Sequence, residues 1–210
     1  GKLESNKLPK TDLSANTAFN LFTTKGVSKT SIAEISKNAG IAKDILSVFK
    51  DKYDIRNKLV SHESSKLFKH AAANLTQYCL KNNLTLGFED KIIFIADHII
   101  NALNEDKTLL TFISQKFKLG NFQEALTSNI AEDDVNFKDV FYSMIDCAEY
   151  EIEERNYAVL ITELVSSTCY SAILYEEPAN IETIKPYLFT TIRGIIRQHE
   201  TAPKAQAEMQ

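Results

Sequence analysis

The chain has 210 residues, of which 44% are hydrophobic and 25% are charged, and its formal net charge is −4. With only six glycines and four prolines, it is a globular chain of one large domain or two small ones, not a collagen-like, disordered or loop-rich β-sandwich protein. Its longest apolar runs have five residues, which excludes a transmembrane helix of about 20 residues.

Charge is distributed unevenly along the chain. Residues 1–60 carry eleven basic and six acidic residues, whereas the remaining 150 carry thirteen basic and twenty-two acidic ones. A basic first quarter on an acidic remainder is typical of a nucleic-acid-binding domain joined to a larger domain. A solvated basic surface is the alternative, and charge alone does not decide between the two.

The first predicted helix covers residues 12–24. Ala15, Ala18, Phe19 and Phe22 recur at helical spacing and define its apolar face. Gly26 is suited to end it, because glycine adopts a positive φ without a steric penalty.

Two short helices come next and predict a helix-turn-helix. Ser31 and Glu34 form a capping box for the first, which ends at Gly40, and the second is predicted over 42–49. Such a pair is too short to bury its own apolar face. It therefore needs the preceding helix and the next one to complete a small core.

A longer helix is predicted from Asp51 to about residue 79, with a polar centre around His62. Its start belongs to a helix-turn-helix domain over residues 1–58, called the head. Its end belongs to a larger helical domain over 59–200, called the body.

The apolar patterns of the body are helical throughout. They predict helices over 88–103, 109–117, 122–130, 140–148, 160–171 and 186–196. Pro186 is expected in the first turn of the last helix, where its missing N–H costs nothing. No alternating strand pattern appears, and residues 201–210 are expected to form a disordered tail, so the predicted class is all-α.

Several motifs of the head match a known family. They are Leu21-Phe22, Lys25-Gly26, Thr30-Ser31-Ile32, the segment from Ile35 to Gly40, and Phe49-Lys50-Asp51-Lys52. Across Ala18 to Lys58, about a fifth of the chain, the sequence resembles the TetR/AcrR family of one-component transcriptional regulators. The resemblance implies an all-helical homodimer with a ligand pocket in the body and the last two long helices packed against those of its partner.

The third helix of the head, the family's recognition helix, departs from that pattern. The segment 42–49 is one residue short and lacks both aromatic positions that usually precede Phe49. Removing one residue rotates the rest of the helix by about 100°, and Asp44 adds a negative charge where phosphates approach. The fold of the head is therefore expected to survive while its DNA-facing surface changes.

If the head binds DNA, two groups of side chains contact it. Those at a helix N-terminus or on a cationic side chain would meet phosphates: Lys29, Thr30, Ser31 and Lys52. Those on the recognition helix would meet base edges in the major groove: Lys43, Ile45 and Ser47. The alternative is that the lysines are ordinary surface residues.

Bulky side chains on the body helices are candidates to line a ligand pocket. They are Phe94, His98, Phe112, Phe117, Phe141 and Met144, and plain core packing is the alternative for each. A dimer interface is predicted where small residues let helices approach closely, next to the apolar stripe of the last helix. Its residues are Leu164, Ser167, Ser171, Leu188, Ile192 and Ile195, with packing inside one chain as the alternative.

Sequence motifs of enzymes are absent. There is no His-Glu-x-x-His, no glycine-rich phosphate loop and no cysteine or histidine cluster with metal spacing, so we expect no catalysis, no cofactor and no metal. Three scattered cysteines, Cys79, Cys147 and Cys169, indicate reduced thiols and a cytoplasmic protein.

The sequence predicts a ligand-responsive transcriptional regulator, acting as a repressor. It would bind a palindromic operator as a homodimer, with double-stranded DNA and a small-molecule effector as partners and no membrane. The alternative is the same fold with a degenerate recognition helix, which would act as a ligand-sensing or protein-interaction dimer without operator binding.

Overall fold

The computed structural model describes residues 8–42, 46–47, 49–117, 150–152 and 156–203. Its elements are α1 (Leu8–Lys25), α2 (Ile32–Ala39), α3 (Lys52–Asn82), α4 (Phe88–Glu105), α5 (Lys107–Phe117), β1 (Tyr150–Ile152), α6 (Asn156–Leu174), α7 (Ile181–Gln198) and β2 (Glu200–Pro203). The fold is built from helices, as the sequence predicts. The helices predicted over 122–130 and 140–148, and half of the residues of the one over 42–49, lie outside the described residues. No helix in the described segments is long and apolar enough to cross a bilayer.

The ends of α2 are set by side chains that the sequence identifies. The Ser31 hydroxyl accepts a hydrogen bond from the Glu34 backbone N–H at 3.1 Å, and Gly40 ends the helix with a φ of 63°. The Lys25 ammonium donates to the Glu34 carboxylate and, with the Ser31 backbone amide, lowers the pKa of that carboxyl. The predicted capping box is therefore confirmed, and an ion pair ties α2 to the end of α1.

Helix α3 joins the head to the body without a break. Asp51 caps it by accepting from the N–H groups of Tyr53 and Asp54 at 2.8 and 2.9 Å. Ile55 near its start and Leu75 near its end are both buried, and they belong to one continuous hydrophobic core. The predicted boundary between residues 58 and 59 thus falls inside a single helix.

The starts of three helices, α1, α6 and α7, differ from the prediction by four or five residues, and α6 begins at Asn156 instead of residue 160. Helix α7 begins at Ile181, because the Asn180 side chain accepts from the Thr183 N–H at 3.0 Å. Pro186 therefore lies inside the helix, beyond the first turn where the sequence predicts it, and it has no N–H to offer the carbonyl of Glu182. Helix α1 begins at Leu8, four residues earlier than predicted, with Pro9 in its first turn.

The first residues of the segment 201–210, which the sequence predicts to be disordered, belong to a strand. Residues 200–203 form β2, which pairs antiparallel with β1 and matches Tyr150 with Pro203. A pairing of three to four residues is too short to leave an alternating pattern in the sequence. Its stability comes from backbone hydrogen bonds to a distant segment, which local patterns do not reveal.

Charged side chains connect α4 to α7 at two places, one around Glu89 and one around Lys185. The carboxylate of Glu89 accepts from Arg193 Nη1 at 3.0 Å and from Arg197 Nε at 2.7 Å. The hydrogen bonds from Arg197, together with those from Arg193, lower the pKa of Glu89 although partial burial opposes the shift.

Further along the same helix pair, the Lys185 side chain is buried among acceptors. Its ammonium lies 3.2 Å from Asp97 Oδ1 and 2.9 Å from Glu182 Oε1, and it also donates to Asn101 Oδ1. Burial disfavours the charged form, but the hydrogen bonds that Lys185 donates to Glu182 and Asp97 outweigh it, so the pKa of Lys185 is raised. The positive charge of Lys185 is thus paired with the carboxylates of Asp97 and Glu182 where α4 and α7 meet.

The Glu89→Gln variant tests the first of these contacts. We expect it to lower the free energy of unfolding by about 1 kcal/mol at pH 7, because it removes the charge bound by two guanidinium groups. Since the folded protein lowers the pKa of Glu89, this stabilisation is present above the ordinary carboxyl pKa and is lost as the pH falls through the folded value. Denaturant titrations at pH 7 and about pH 3 should therefore show a difference that shrinks with acid.

Glu105→Gln is the matched control, because Glu105 is exposed at the opposite end of α4. It should change the free energy of unfolding by less than about 0.5 kcal/mol. Equal losses in the two variants, or a loss in Glu89→Gln that does not depend on pH, would contradict the assignment.

Candidate DNA-binding surface and ligand cavity

The predicted phosphate contacts at the start of α2 have different environments. Lys29 and Ser31 are exposed, whereas Thr30 is 1% exposed. The Thr30 hydroxyl donates to the Gly26 carbonyl at 2.9 Å, so its side chain holds the turn. Two features of this turn can bind an anion. They are the exposed Lys29 side chain and the N-terminal end of α2, where backbone N–H groups have no acceptor within the helix.

Lys52 reaches back to the same turn. Its ammonium donates to the carbonyls of Ser28 at 2.7 Å and Thr30 at 3.2 Å. An ammonium has three N–H donors, so two of them fix the start of α3 against the start of α2. Lys52 therefore has a structural role that its charge alone does not suggest.

The base-edge candidates are described only in part. Ser47 is exposed, on the solvent side of the segment before α3, while Lys43 and Ile45 lie outside the described residues. Behind this segment, Leu46 is 2% exposed and Phe49 packs against the core. The head thus buries Leu46 and packs the half-buried Phe49, three residues later, against the same core.

The body contains an apolar cavity of about 140 Å³. Helices α3 and α5 contribute Ser64, Leu67, Phe68, Leu110, Ile113 and Ser114. Helix α4 contributes Ile92, Ile95, Ala96, Ile99 and Leu103. Helix α6 contributes Ile161, Thr162, Val165, Ser166 and Cys169. An engineered apolar cavity of similar size, about 150 Å³, stays dry and takes up benzene.

No acidic or basic side chain of the described residues lines this cavity. Among the lining residues that the structure describes, the one titratable group is the Cys169 thiol, whose pKa is raised by burial to about 12 although the charge of Lys185 opposes the shift. The thiol therefore stays neutral at physiological pH and acts as a small apolar group. The cavity is suited to uncharged, largely aliphatic ligands.

The predicted pocket residues that the structure describes lie elsewhere. The Phe94 ring packs on Tyr78 at 5.2 Å between centroids, and Nε2 of His98 lies 3.0 Å from Nδ2 of Asn74. Phe112 faces α1, where its ring meets Phe19 edge-on at 4.9 Å. These three side chains occupy helix–helix contacts because each lies on a different face of its helix from the cavity wall.

The other three predicted pocket residues are not described. The side chain of Phe117, and Phe141 and Met144 entirely, lie outside the described residues. The signal that points to the wall is the aliphatic stripe of α4, including Ile92, Ile95, Ile99 and Leu103, which sequence periodicity identifies as a core face. Nothing in the periodicity shows that this face borders a space.

The predicted dimer residues divide into two sets. Leu188 and Ile192 are 4% and 0% exposed, so they belong to the core of their own chain. Ser167 is exposed, and Leu164, Ser171 and Ile195 are half-buried. The large exposed apolar side chains beside them are Leu160, Tyr175 and Tyr187, at 50%, 61% and 72% exposure. Helices α6 and α7 therefore present a partly apolar outer face that sequence periodicity does not isolate.

No protein-family model and no curated protein sequence matches the chain. Solved structures, in contrast, align with most of the chain. The fatty acid degradation regulator FadR from Bacillus halodurans aligns over 91% of this chain and 98% of its own, with 15% identity and a TM-score of 0.60. The regulator FadR from Bacillus subtilis, in complex with stearoyl-CoA, aligns over 86% and 96%, with 13% identity and a TM-score of 0.58.

A third similar structure is Thermus thermophilus FadR, a TetR-family transcriptional repressor in complex with lauroyl-CoA. It covers 94% of this chain and 98% of its own, with 11% identity and a TM-score of 0.60. The likeness spans head and body in all three. The chain therefore has the fold of the TetR-family transcriptional regulators, the family that its head motifs resemble.

Proposed function

We propose that the protein is a ligand-responsive transcriptional repressor that binds a palindromic operator as a homodimer. The observation that carries this proposal is one continuous helix, α3, which runs from the core shared with the N-terminal helices α1 and α2 to the wall of an apolar cavity. The protein would act by binding and not by catalysis, as the regulators of similar fold do, and would work in the cytoplasm with the DNA.

The head supports DNA binding through charge and shape. The first 60 residues of the chain carry a net positive charge while the rest of the chain is acidic, and Lys29, Lys37 and Lys50 are exposed on the head. These side chains and the start of α2 suit phosphates. Lys43, Ile45 and Ser47 remain the proposed contacts to base edges.

Dimerisation supports operator recognition, because one head is too small to read a palindrome. The outer face of α6 and α7, with Leu160, Ser167, Ser171 and Tyr187, is the proposed interface. Two copies joined there would form a four-helix bundle. Their heads must lie about 34–36 Å apart to enter successive major grooves of B-DNA.

The cavity supports control by an apolar effector. Two regulators of similar fold were solved with acyl-CoA molecules bound, and an aliphatic wall suits an acyl chain here. Helix α5 carries cavity residues such as Ile113 and also Phe112, which packs on Phe19 of the head. A ligand that moves α5 would thereby change the position of the head and release DNA by population shift.

A second candidate function is a dimer of the same fold that senses a ligand or binds a protein without reading DNA. The structural observation in its favour is that Thr30 and Lys52, two of the proposed phosphate contacts, are engaged inside the head. The shortened segment 42–49 with Asp44 points the same way.

Selection of bound fragments from genomic DNA over a salt series decides between the two functions. An enriched palindrome, bound less tightly as salt rises, establishes a DNA-reading head. No enrichment at low salt by a folded dimer would favour the second candidate.

Lys29→Ala tests the phosphate contact at α2. We expect weaker binding to all DNA sequences alike and a salt dependence whose logarithmic slope falls by about 1, since one phosphate contact is lost. Lys81→Ala, which removes an exposed cation at the far end of α3, is the control and should leave both quantities unchanged. A change in sequence preference in Lys29→Ala would count against a phosphate role.

Tyr187→Glu tests the dimer face. A charge placed in an apolar interface loses its hydration without gaining a partner, so we expect monomers at micromolar concentration in sedimentation velocity runs. Leu80→Glu makes the same change at a side chain that is 77% exposed at the end of α3 and should leave the dimer intact. A dimeric Tyr187→Glu protein would exclude this interface.

Phe112→Leu tests the path from cavity to head. Lauroyl-CoA should still bind, but its effect on DNA affinity should fall by roughly two- to thirtyfold, because the contact to Phe19 is weakened. Phe94→Leu alters a ring that packs on Tyr78, away from the head, and is the control. Equal loss of coupling in both variants would show that the Phe19–Phe112 contact has no special role.

A further inference from the structure

The charge around the cavity restricts what can enter it. Along the walls that the structure describes, the Cys169 thiol is the one titratable group, and it is neutral. The cation whose charge reaches that thiol is Lys185. It lies behind Cys169 and is not part of the wall.

Lys185 has no donor left for an anionic ligand. An ammonium offers three N–H groups, and those of Lys185 meet Asp97, Glu182 and Asn101. Two of these acceptors are carboxylates, so a third carboxylate would also meet like charge. A free carboxylate in the cavity would therefore be buried without a cationic partner among the described residues, which is unfavourable even where neutral hydroxyls donate to it.

The cavity does offer neutral hydrogen-bond donors. Ser64 on α3 and Ser166 on α6 line it from two different helices, and neither hydroxyl is bonded within the described part of the chain. The Ser114 hydroxyl, by contrast, donates to the Leu110 carbonyl at 2.6 Å. Ser64 and Ser166 are thus the hydroxyls that can bind a ligand carbonyl.

We propose that the cavity selects an uncharged ester or thioester of an aliphatic acid, with its carbonyl at Ser64 and Ser166, over the free acid. The aliphatic walls take the chain, the two hydroxyls bind the carbonyl, and the described walls offer a carboxylate no available cation. This selectivity rests on the proposed ligand-binding role of the body, and it adds the residues that set the specificity.

The first test compares methyl octanoate with octanoate, which share one acyl chain and differ in charge. Calorimetric titration of the full chain at pH 7.5, without DNA, should show the ester binding at least about tenfold more tightly than the carboxylate. Octanoate that binds as tightly as the ester, or more tightly, would overturn the proposal.

The second test removes the hydroxyls one at a time. Ser64→Ala and Ser166→Ala should each weaken methyl octanoate binding by about three- to tenfold and leave the binding of butylbenzene, which has no carbonyl, unchanged. Ser65→Ala is the matched control, because Ser65 is the residue next to Ser64 on α3 but is not part of the wall. Unchanged ester binding in both variants, or equal losses for ester and butylbenzene, would overturn the role of the hydroxyls.

The failure of this proposal and the failure of the proposed function give different experimental results. If neither methyl octanoate nor butylbenzene binds, the cavity is not a ligand site and this proposal fails, while fragment selection still decides whether the head reads DNA. If the ester binds selectively but no DNA is selected, the proposal on the cavity stands and the regulator function fails.

Discussion

The continuity of α3 is the constraint on which the arrangement of head and body depends. Its 31 residues span about 46 Å at 1.5 Å per residue. Near its start, Ile55 and Leu59 close the core of the head, and one to two turns later Ser64 and Leu67 form part of the cavity wall. Because a helix with intact hydrogen bonds moves as a nearly rigid element, a displacement at the cavity is carried to the head. The same rigidity makes the position of the head depend on how the body packs.

Charge is placed so that the apolar centre of the body stays uncharged. Lys185 is surrounded by acceptors on α4 and α7, and Glu89 is paired with two arginines further along the same helices. These pairs fix α4 against α7, and α4 carries a large part of the cavity wall. These ionic groups are paired outside the cavity, and the described wall carries no charge of its own. The stability of the α4–α7 contact and the proposed ligand selectivity thus have one physical origin, which is the cost of an unpaired buried charge.

Local chemistry makes part of this structure predictable. Ser31, Gly40 and Asp51 set helix ends through their own side chains or φ preference, so a few neighbouring residues suffice to predict them. The sequence misplaces Pro186 because the cap at Asn180, six residues earlier, starts the helix sooner. Short-range rules therefore locate helices well where the capping residue is recognised and shift by about a turn where it is not.

The residues of the site depend on which helix faces which, and periodicity does not contain that information. A stripe such as Leu188 and Ile192 shows one buried face, but burial within the chain and burial against a partner give the same pattern. The pocket prediction favours large aromatic rings, yet Phe112 fills the contact between α5 and the head. The cavity is bordered mainly by aliphatic side chains and small hydroxyl residues. Thr30 and Lys52 likewise point inward because the turn before α2 has carbonyls that need donors.

The size of the cavity limits how an effector can act. A ligand that fits the cavity of about 140 Å³ binds without moving its wall. Such a ligand favours the position that α5 has in this structure, and so it stabilises the packing of Phe112 on Phe19. A closely packed interior does not yield gradually, so in the proposed repressor the release of DNA would require a ligand that binds better when α5 has shifted. Such a ligand is larger than the cavity, or it extends beyond it. Its effect on the head cannot exceed the difference between its affinities for the two arrangements. An ester whose chain enters the cavity and whose alcohol or thiol part remains outside meets both conditions, since the chain provides affinity and the external part can force α5 to move.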